Sequence, residues 1–259
     1  MMKAALFISL FISIQAHGCE KEYSFQLGPF FSTSMNIQIW SEFSEEVSRL
    51  SGCKIQMVSA PSYENYLDQI ILKKHDLYLA PDSYGPSMAK RGLTVVLHTD
   101  GGITGYIVSR YDIKKNKQAF TGTRLITPSP YTRMHLEAKD WLAKHGLTDT
   151  VTLTFSSAHD ASIMALLNKK AETTAVIGNI YNKLPESIKS NLYVYKIPNV
   201  GGGIITGHKL PNSIKSAIIE ARGKIKLSKW SNKSQVSGSR FNKEFEALFH
   251  KHELSIPNP

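Results

Sequence analysis

The stretch Lys54–Ala80, KIQMVSAPSYENYLDQIILKKHDLYLA, carries the grammar of the whole chain in miniature. Lys54–Val58 is a short apolar run of strand length. Tyr63–Leu72 then places Tyr66, Leu67, Ile70 and Ile71 at helical spacing, and Leu77–Ala80 returns to a short apolar strand. Strand, helix and strand in such close succession read as a helix packed on a mostly parallel sheet. Working outward, Tyr23–Leu27 supplies an earlier strand and Val95–Leu97 a later one. Ile37–Leu50 supplies a helix, with Ile39, Trp40, Phe43, Val47 and Leu50 on one face. A second set follows: strand Arg124–Thr127, helix Tyr131–His145, strand Thr150–Phe155, helix Ala158–Leu167 and strand Thr174–Ile177. Two such units predict an α/β protein of two lobes, although no internal sequence repeat is visible.

The 259 residues are 42% hydrophobic and 20% charged, enough apolar content for a real core and too little bias for a disordered or collagen-like chain. The net charge is +10, which suits nucleic acid, anionic lipid or an acidic small ligand equally well. Basic residues are scattered, as at Lys114-Lys115 and Lys169-Lys170, without the aromatic interleaving of a single-strand groove, so no nucleic-acid partner is expected.

The beginning of the chain points to export. Met1–Lys3 is cationic and Ala4–Ile14 is apolar apart from Ser9 and Ser13. Ala16 and Gly18 stand at the small-residue positions of a cleavage site, so residues 1–18 read as a signal peptide. No run approaches the roughly 20 apolar residues that span a bilayer. Cys19 and Cys53 are the only cysteines, and in an exported protein a pair is more naturally a disulfide than a metal or redox site. Both lie just upstream of runs that would be neighbouring parallel strands. The alternative makes Cys19 a lipidated first residue, although Ala16-His17-Gly18 lacks the leucine usual three residues before such a cysteine.

Gly101-Gly102 separates the two sets, and Gly201-Gly202-Gly203 follows the second, just before Ile204-Ile205 and a helix from Pro211 to about Ile225. As a hinge of two crossings, these glycines would divide the mature chain into lobe 1, residues 19–103 and 201–259, and lobe 2, residues 104–200. Read otherwise, they are ordinary turns. Ser228–Ser239 reads as a polar loop, and His250-Lys251-His252 as a solvated tail.

The order of several short motifs resembles the phosphonate-family periplasmic binding proteins, the phosphonate, phosphate and phosphite solute-binding type. In the first lobe they are Leu27-Gly28-Pro29-Phe30, Trp40, Leu50-Ser51-Gly52-Cys53-Lys54-Ile55, Tyr63–Ile71, Asp76–Pro81, Ser83-Tyr84 and Ala89. In the second they are Tyr106–Arg110, Phe120–Leu125, Pro128-Ser129, Lys144–Leu147 and Ser157-Ala158-His159. The likeness runs over roughly residues 23–225. It implies a bilobal type 2 periplasmic binding protein that captures a solute between lobes and hands it to an ABC importer.

Site candidates follow from that likeness and from helix-end chemistry. Ser129-Pro130-Tyr131-Thr132 has a helix-start signature, with Ser129 as N-cap and Pro130 at the first helical position. Free N–H groups of Tyr131 and Thr132, with the Thr132 hydroxyl, would seat an anion; the alternative is ordinary capping. Relatives carry small hydroxyl residues and glycine here, whereas this chain has Pro130, Tyr131 and Arg133. Arg133 restores a bidentate charge if it points inward and is only a solvated cation if it does not. His159, in its Ser157-Ala158 context, matches the histidine that holds the oxyanion in relatives, while Asp160 would cap that helix. Tyr63 and Tyr84 match cleft positions of the family. A tyrosine offers a flat apolar wall and one hydroxyl. Ser32, Thr33 and Ser34 are lesser candidates in the loop after the first strand.

No GxSxG elbow, Walker loop, HExxH or paired-cysteine metal signature appears. No cofactor and no catalysis are therefore expected. The leading expectation is a monomeric periplasmic protein that binds a small oxyanion for a membrane ABC permease. One alternative docks the loaded protein on a membrane sensor kinase or cyclase. Another, a periplasmic phosphoester hydrolase, lacks a visible nucleophile or metal cluster.

Overall fold

In the computed structural model, which describes residue 19, residues 21–232 and residues 239–256, the strand–helix–strand reading holds through both sets. The signal segment 1–18 lies outside the described residues, as do residues 233–238 of the polar stretch. The first set is β1 (Tyr23–Leu27), α1 (Thr33–Ser51), β2 (Ile55–Ser59), α2 (Tyr63–Ile71), β3 (Leu77–Pro81), α3 (Gly85–Lys90) and β4 (Thr94–Thr99). The second is β5 (Gly105–Ser109), β6 (Arg124–Thr127), α4 (Arg133–Lys144), β7 (Thr152–Phe155), α5 (His159–Leu167), β8 (Thr173–Ile177), α6 (Gly178–Tyr181), α7 (Glu186–Lys189) and β9 (Tyr193–Ile197). The chain then returns through β10 (Gly203–Gly207), α8 (Asn212–Ala221), β11 (Trp230–Ser231) and α9 (Asn242–Ser255).

These elements build two sheets. The first runs β11-β4-β10-β3-β1-β2 and the second β7-β6-β8-β5-β9. In the first, β1 lies parallel to β2 and β3, with Phe25 opposite both Met57 and Leu77, and β10 enters antiparallel between β3 and β4. In the second, β6 is parallel to β7 and β8, and β5 is antiparallel to β8 and β9. Each sheet with its helices is one α/β lobe. The chain crosses between them after β4 and again after β9, and the crossings bond to each other: Ile103 N donates to Gly201 O at 2.6 Å and Val200 N to Ile103 O at 2.8 Å. Gly201 has φ +93°, and a Cβ there would stand 2.4 Å from Asp82 Oδ1, so only glycine fits that turn.

Local chemistry explains the elements that frame the cleft. Helix α1 buries Ile39, Trp40, Phe43 and Val47 and stops at Gly52, which is left-handed at φ +71° and donates to Ser48 O. Trp40 and Phe43 meet Phe25 of the sheet edge-on at 6.0 and 5.9 Å. Helix α2 starts where the Ser62 hydroxyl accepts from Asn65 N at 3.1 Å. A disulfide joins Cys19 to Cys53, across the start of the parallel pair β1 and β2. The sulfur of Cys19 is therefore bonded within the protein rather than free for a lipid.

Three expectations need correction. The segment read as a solvated tail is part of α9, which packs on α2 and α3 and buries Phe245 and Phe249 against Tyr84. His252 on that helix pairs with Asp68 Oδ1 at 2.8 Å. The polar stretch Ser228–Ser239 contains β11, where buried Trp230 closes the edge of the first sheet against β4. The helix expected from Tyr131 begins at Arg133, because Thr132 holds extended backbone with φ −100° and ψ 149°. No described helix is long and apolar enough to cross a membrane.

Candidate functional site

A cavity of about 110 Å³ lies between the two lobes. Its walls come from the loop after β1 (Phe30, Phe31), from Trp40 of α1, from Tyr63 at the start of α2, and from both crossings, through Thr99 and Ile103 on one and Val200 to Gly203 on the other. The second lobe adds Thr132, Arg133 and Met134 at the start of α4, His159 at the start of α5, and Ile177 and Asn179. Leu227, Ser228 and Trp230 close one side. Two helix starts of the second lobe and one of the first thus converge on one space, which brings positive dipole ends together.

Of the residues expected in the site, Tyr63, Thr132, Arg133 and His159 line this cavity, and Tyr84, Ser129, Tyr131 and Ser157 do not. Tyr84 is buried against Phe245 and Phe249, and its hydroxyl donates to Tyr131 O at 2.6 Å, so its role is to tie the lobes together. The Ser129 hydroxyl accepts from Tyr131 N at 3.2 Å, and Ser129 O accepts from Thr132 N at 3.2 Å. The two N–H groups expected to be free are therefore spent inside the turn. Thr132, not Ser129, is the N-cap: its Oγ1 accepts from His135 N at 3.2 Å and donates to Ser129 O at 2.9 Å. The N–H groups left at the start of α4 belong to Arg133 and Met134, which have no acceptor within the helix. Ser157 is exposed. Ser32, Thr33 and Ser34 are exposed too and stand off the cavity wall.

Arg133 points inward, but its charge is already engaged. Nε lies 3.3 Å from Glu137 Oε1, and one terminal nitrogen donates to Asn199 O at 2.7 Å, on the return crossing. Glu137 is itself buried and also receives Arg240. Beside them Asp82 sits behind Gly201, and burial raises its pKa. Arg133 therefore braces the crossing as much as it offers charge to a guest.

His159 is 5% exposed, and burial drives its pKa down to about 3, so the imidazole is neutral at physiological pH. The His159 backbone N–H donates to Phe30 O at 3.1 Å, across the lobes. Asp160 does not cap its own helix. Its carboxylate instead accepts from Ser32 N in the first lobe, at 3.2 and 3.3 Å. Tyr63 is 3% exposed, and burial pushes its phenol pKa well up, holding the hydroxyl protonated. Three wall residues carry a buried side-chain atom with no hydrogen-bond partner: Tyr63 Oη, His159 Nδ1 and Trp40 Nε1. Buried polar atoms are normally paired, and these three unpaired ones belong to residues that line the cavity. Among the described residues no cluster of three His, Cys, Asp or Glu is placed to hold a metal.

From sequence Trp40 reads as a core residue of α1 and as one of the residues that carry the family likeness, not as part of the site. Sequence reasoning missed Trp230 because a polar segment surrounds it. Met134 and Asn179 carry no sequence signal that separates them from their neighbours.

Two α/β lobes, two bonded crossings and one interlobe cavity walled by helix starts define a bilobal type 2 periplasmic binding protein. Residues 25–228 match the family described as the periplasmic substrate-binding protein of phosphonate ABC transporters, and the chain belongs to that family. It is thus a periplasmic solute-binding protein. No curated protein matches by sequence. Among solved structures, PhnD1 from Prochlorococcus marinus in complex with methylphosphonate superposes with a TM-score of 0.71 at 16% identity, over 90% of this chain and 98% of that one. A binding protein component of a phosphonate ABC transporter from Pseudomonas aeruginosa gives 0.64 at 13% identity, covering 90% and 88%. XAC2383 from Xanthomonas citri bound to ATP gives 0.59 at 11% identity, covering 91% and 99%. These likenesses concern the fold.

Proposed function

We propose that the interlobe cavity captures a small phosphorus-containing oxyanion, of the phosphonate, phosphite or phosphate type, and that the protein delivers it unreacted, as a monomer, to an ABC permease. The observation that carries this reading is the set of three orphaned polar atoms on Tyr63, His159 and Trp40 around one cavity. A protonated phenol, an indole N–H and a neutral imidazole, added to the N–H groups that open α4, supply hydrogen-bond donors, and the low pKa of the His159 imidazole makes it a weak base. Two relatives of the same fold are described as phosphonate-binding or phosphonate-transporter components, which favours phosphorus over other oxyanions.

In this reading lobe 1 is residues 19–103 and 201–259 and lobe 2 is residues 104–200, turning about the two glycine-rich crossings. Of the side chains named from sequence, Tyr63, Thr132, Arg133 and His159 form the guest's surroundings. Ser129, Tyr131 and Tyr84 hold the turn and the lobe contact behind them, and Ser157 plays no direct part. Calorimetry with phosphate, phosphite, methylphosphonate, aminoethylphosphonate, sulfate and arsenate tests the class. A binding isotherm with at least one phosphorus oxyanion, and none with sulfate, is expected; no heat and no thermal shift with any phosphorus compound contradicts it.

A further inference from the structure

The wall of the cavity is mostly carbon. Trp40 and Trp230 meet edge to face with centroids 5.7 Å apart at 84°, and Phe31, Met134 and Ile177 join them around the space. The Trp230 indole N–H is spent on Leu227 O at 2.7 Å, so what this ring presents to a guest is apolar. Gly203 lets the ring lie close, since a Cβ there would stand 2.9 Å from it. The ionisable groups of the lining are Tyr63, Arg133 and His159. The first is held protonated, the second is paired with Glu137, and the third is neutral. Among the described residues no carboxylate lines the space, and Asp82 stands behind Gly201 beside the Arg133 guanidinium.

We infer that the guest carries a compact, uncharged, apolar substituent seated on the Trp40–Trp230 pair: a short-chain alkylphosphonate in preference to phosphate, phosphite or an aminoalkylphosphonate. This rests on the oxyanion reading above and adds the class of the other half of the ligand. An alkyl group gains by leaving water for the indole faces. An ammonium group of the same length would be buried with no counter-charge on the wall.

The test is calorimetry on the exported chain with phosphite, methyl-, ethyl- and propylphosphonate and 2-aminoethylphosphonate. Affinity should rise by about threefold to fourfold per added methylene, and aminoethylphosphonate should bind at least about tenfold more weakly than propylphosphonate, its neutral isostere. Trp230→Leu should flatten the chain-length series, lowering propylphosphonate affinity more than methylphosphonate affinity; the wild-type series stands by itself if that variant does not fold. A flat or falling alkyl series, or aminoethylphosphonate as the tightest ligand, overturns the substituent claim while oxyanion binding survives. Binding of phosphite or phosphate without any phosphonate overturns this inference alone, and absence of binding by phosphite, phosphate and every phosphonate overturns the oxyanion reading and this inference together.

Discussion

At the scale of single residues, the site is set by which polar atoms the protein has left unsatisfied and which it has already used. Tyr63 has a buried hydroxyl with no partner among the described residues. Tyr63→Phe should therefore leave the ligand-free melting temperature unchanged or slightly higher while weakening phosphonate binding, since removing an unpaired buried hydroxyl is nearly neutral or stabilising. Thermal melts and calorimetry on the same sample check both halves. Thr132 behaves oppositely. Its hydroxyl caps α4, so Thr132→Ala should lower stability by about 1 kcal/mol whether or not a ligand is present. Acid should weaken the fold through two imidazoles, His159 and His135, whose pKa values burial lowers to about 3 and about 4. The unfolded chain binds protons that the folded one refuses, so stability contributed at neutral pH is lost as pH falls below roughly 6.5, at up to about 1.4 kcal/mol per pH unit for each group. Urea titrations of His159→Gln between pH 7 and pH 5 should show a shallower slope than wild type; an unchanged slope would mean the imidazole is charged in the fold.

At the scale of elements, the C-terminal helix is the part whose importance the structure changes most. Phe249 is fully buried, edge-on to Tyr84 at 5.1 Å, so Phe249→Ala should cost about 3–5 kcal/mol by denaturant unfolding. A loss below 1 kcal/mol would mean that α9 adds little to the core. Sequence pattern missed this helix because its buried face is narrow, Phe245 and Phe249 alone, amid Lys, Glu and His that read as solvated. The earlier elements were legible because their signals are redundant. Tyr66, Leu67 and Ile70 repeat at helical spacing and are all buried, and Tyr23–Leu27 and Arg124–Thr127 form strands with the bounds their apolar runs suggest. Helix starts were less legible. Ser129 and Thr132 both precede the same helix, both are good caps, and backbone geometry alone selects Thr132. The cavity was partly legible, through Tyr63 and His159. Its tryptophan wall was not, since Trp40 and Trp230 lie 190 positions apart in the chain and meet only when β11 joins β4.

At the scale of the whole molecule, binding is a matter of how two lobes are held together. Among the described residues, ties between them include Ser32 N to the Asp160 carboxylate, His159 backbone N to Phe30 O, Tyr84 Oη to Tyr131 O, and Arg240 to Glu137 and to Asp140 Oδ2, the last at 2.8 Å. The Asp160 tie is partly solvated and individually weak, which suits an equilibrium that a guest can shift. Asp160→Asn combined with Arg240→Ala should enlarge the ligand-free radius of gyration in small-angle scattering, with a saturating phosphonate restoring compaction. No change in either state would mean that the crossings are rigid. The cavity's claim to hold an oxyanion without reacting with it is tested most directly by phosphorus NMR of equimolar methylphosphonate and protein. A shifted, slowly exchanging resonance, collapsed in Tyr63→Phe and returning to intact methylphosphonate on denaturation, is the predicted result. A resonance that stays at its free position, or one that converts to inorganic phosphate, would contradict it.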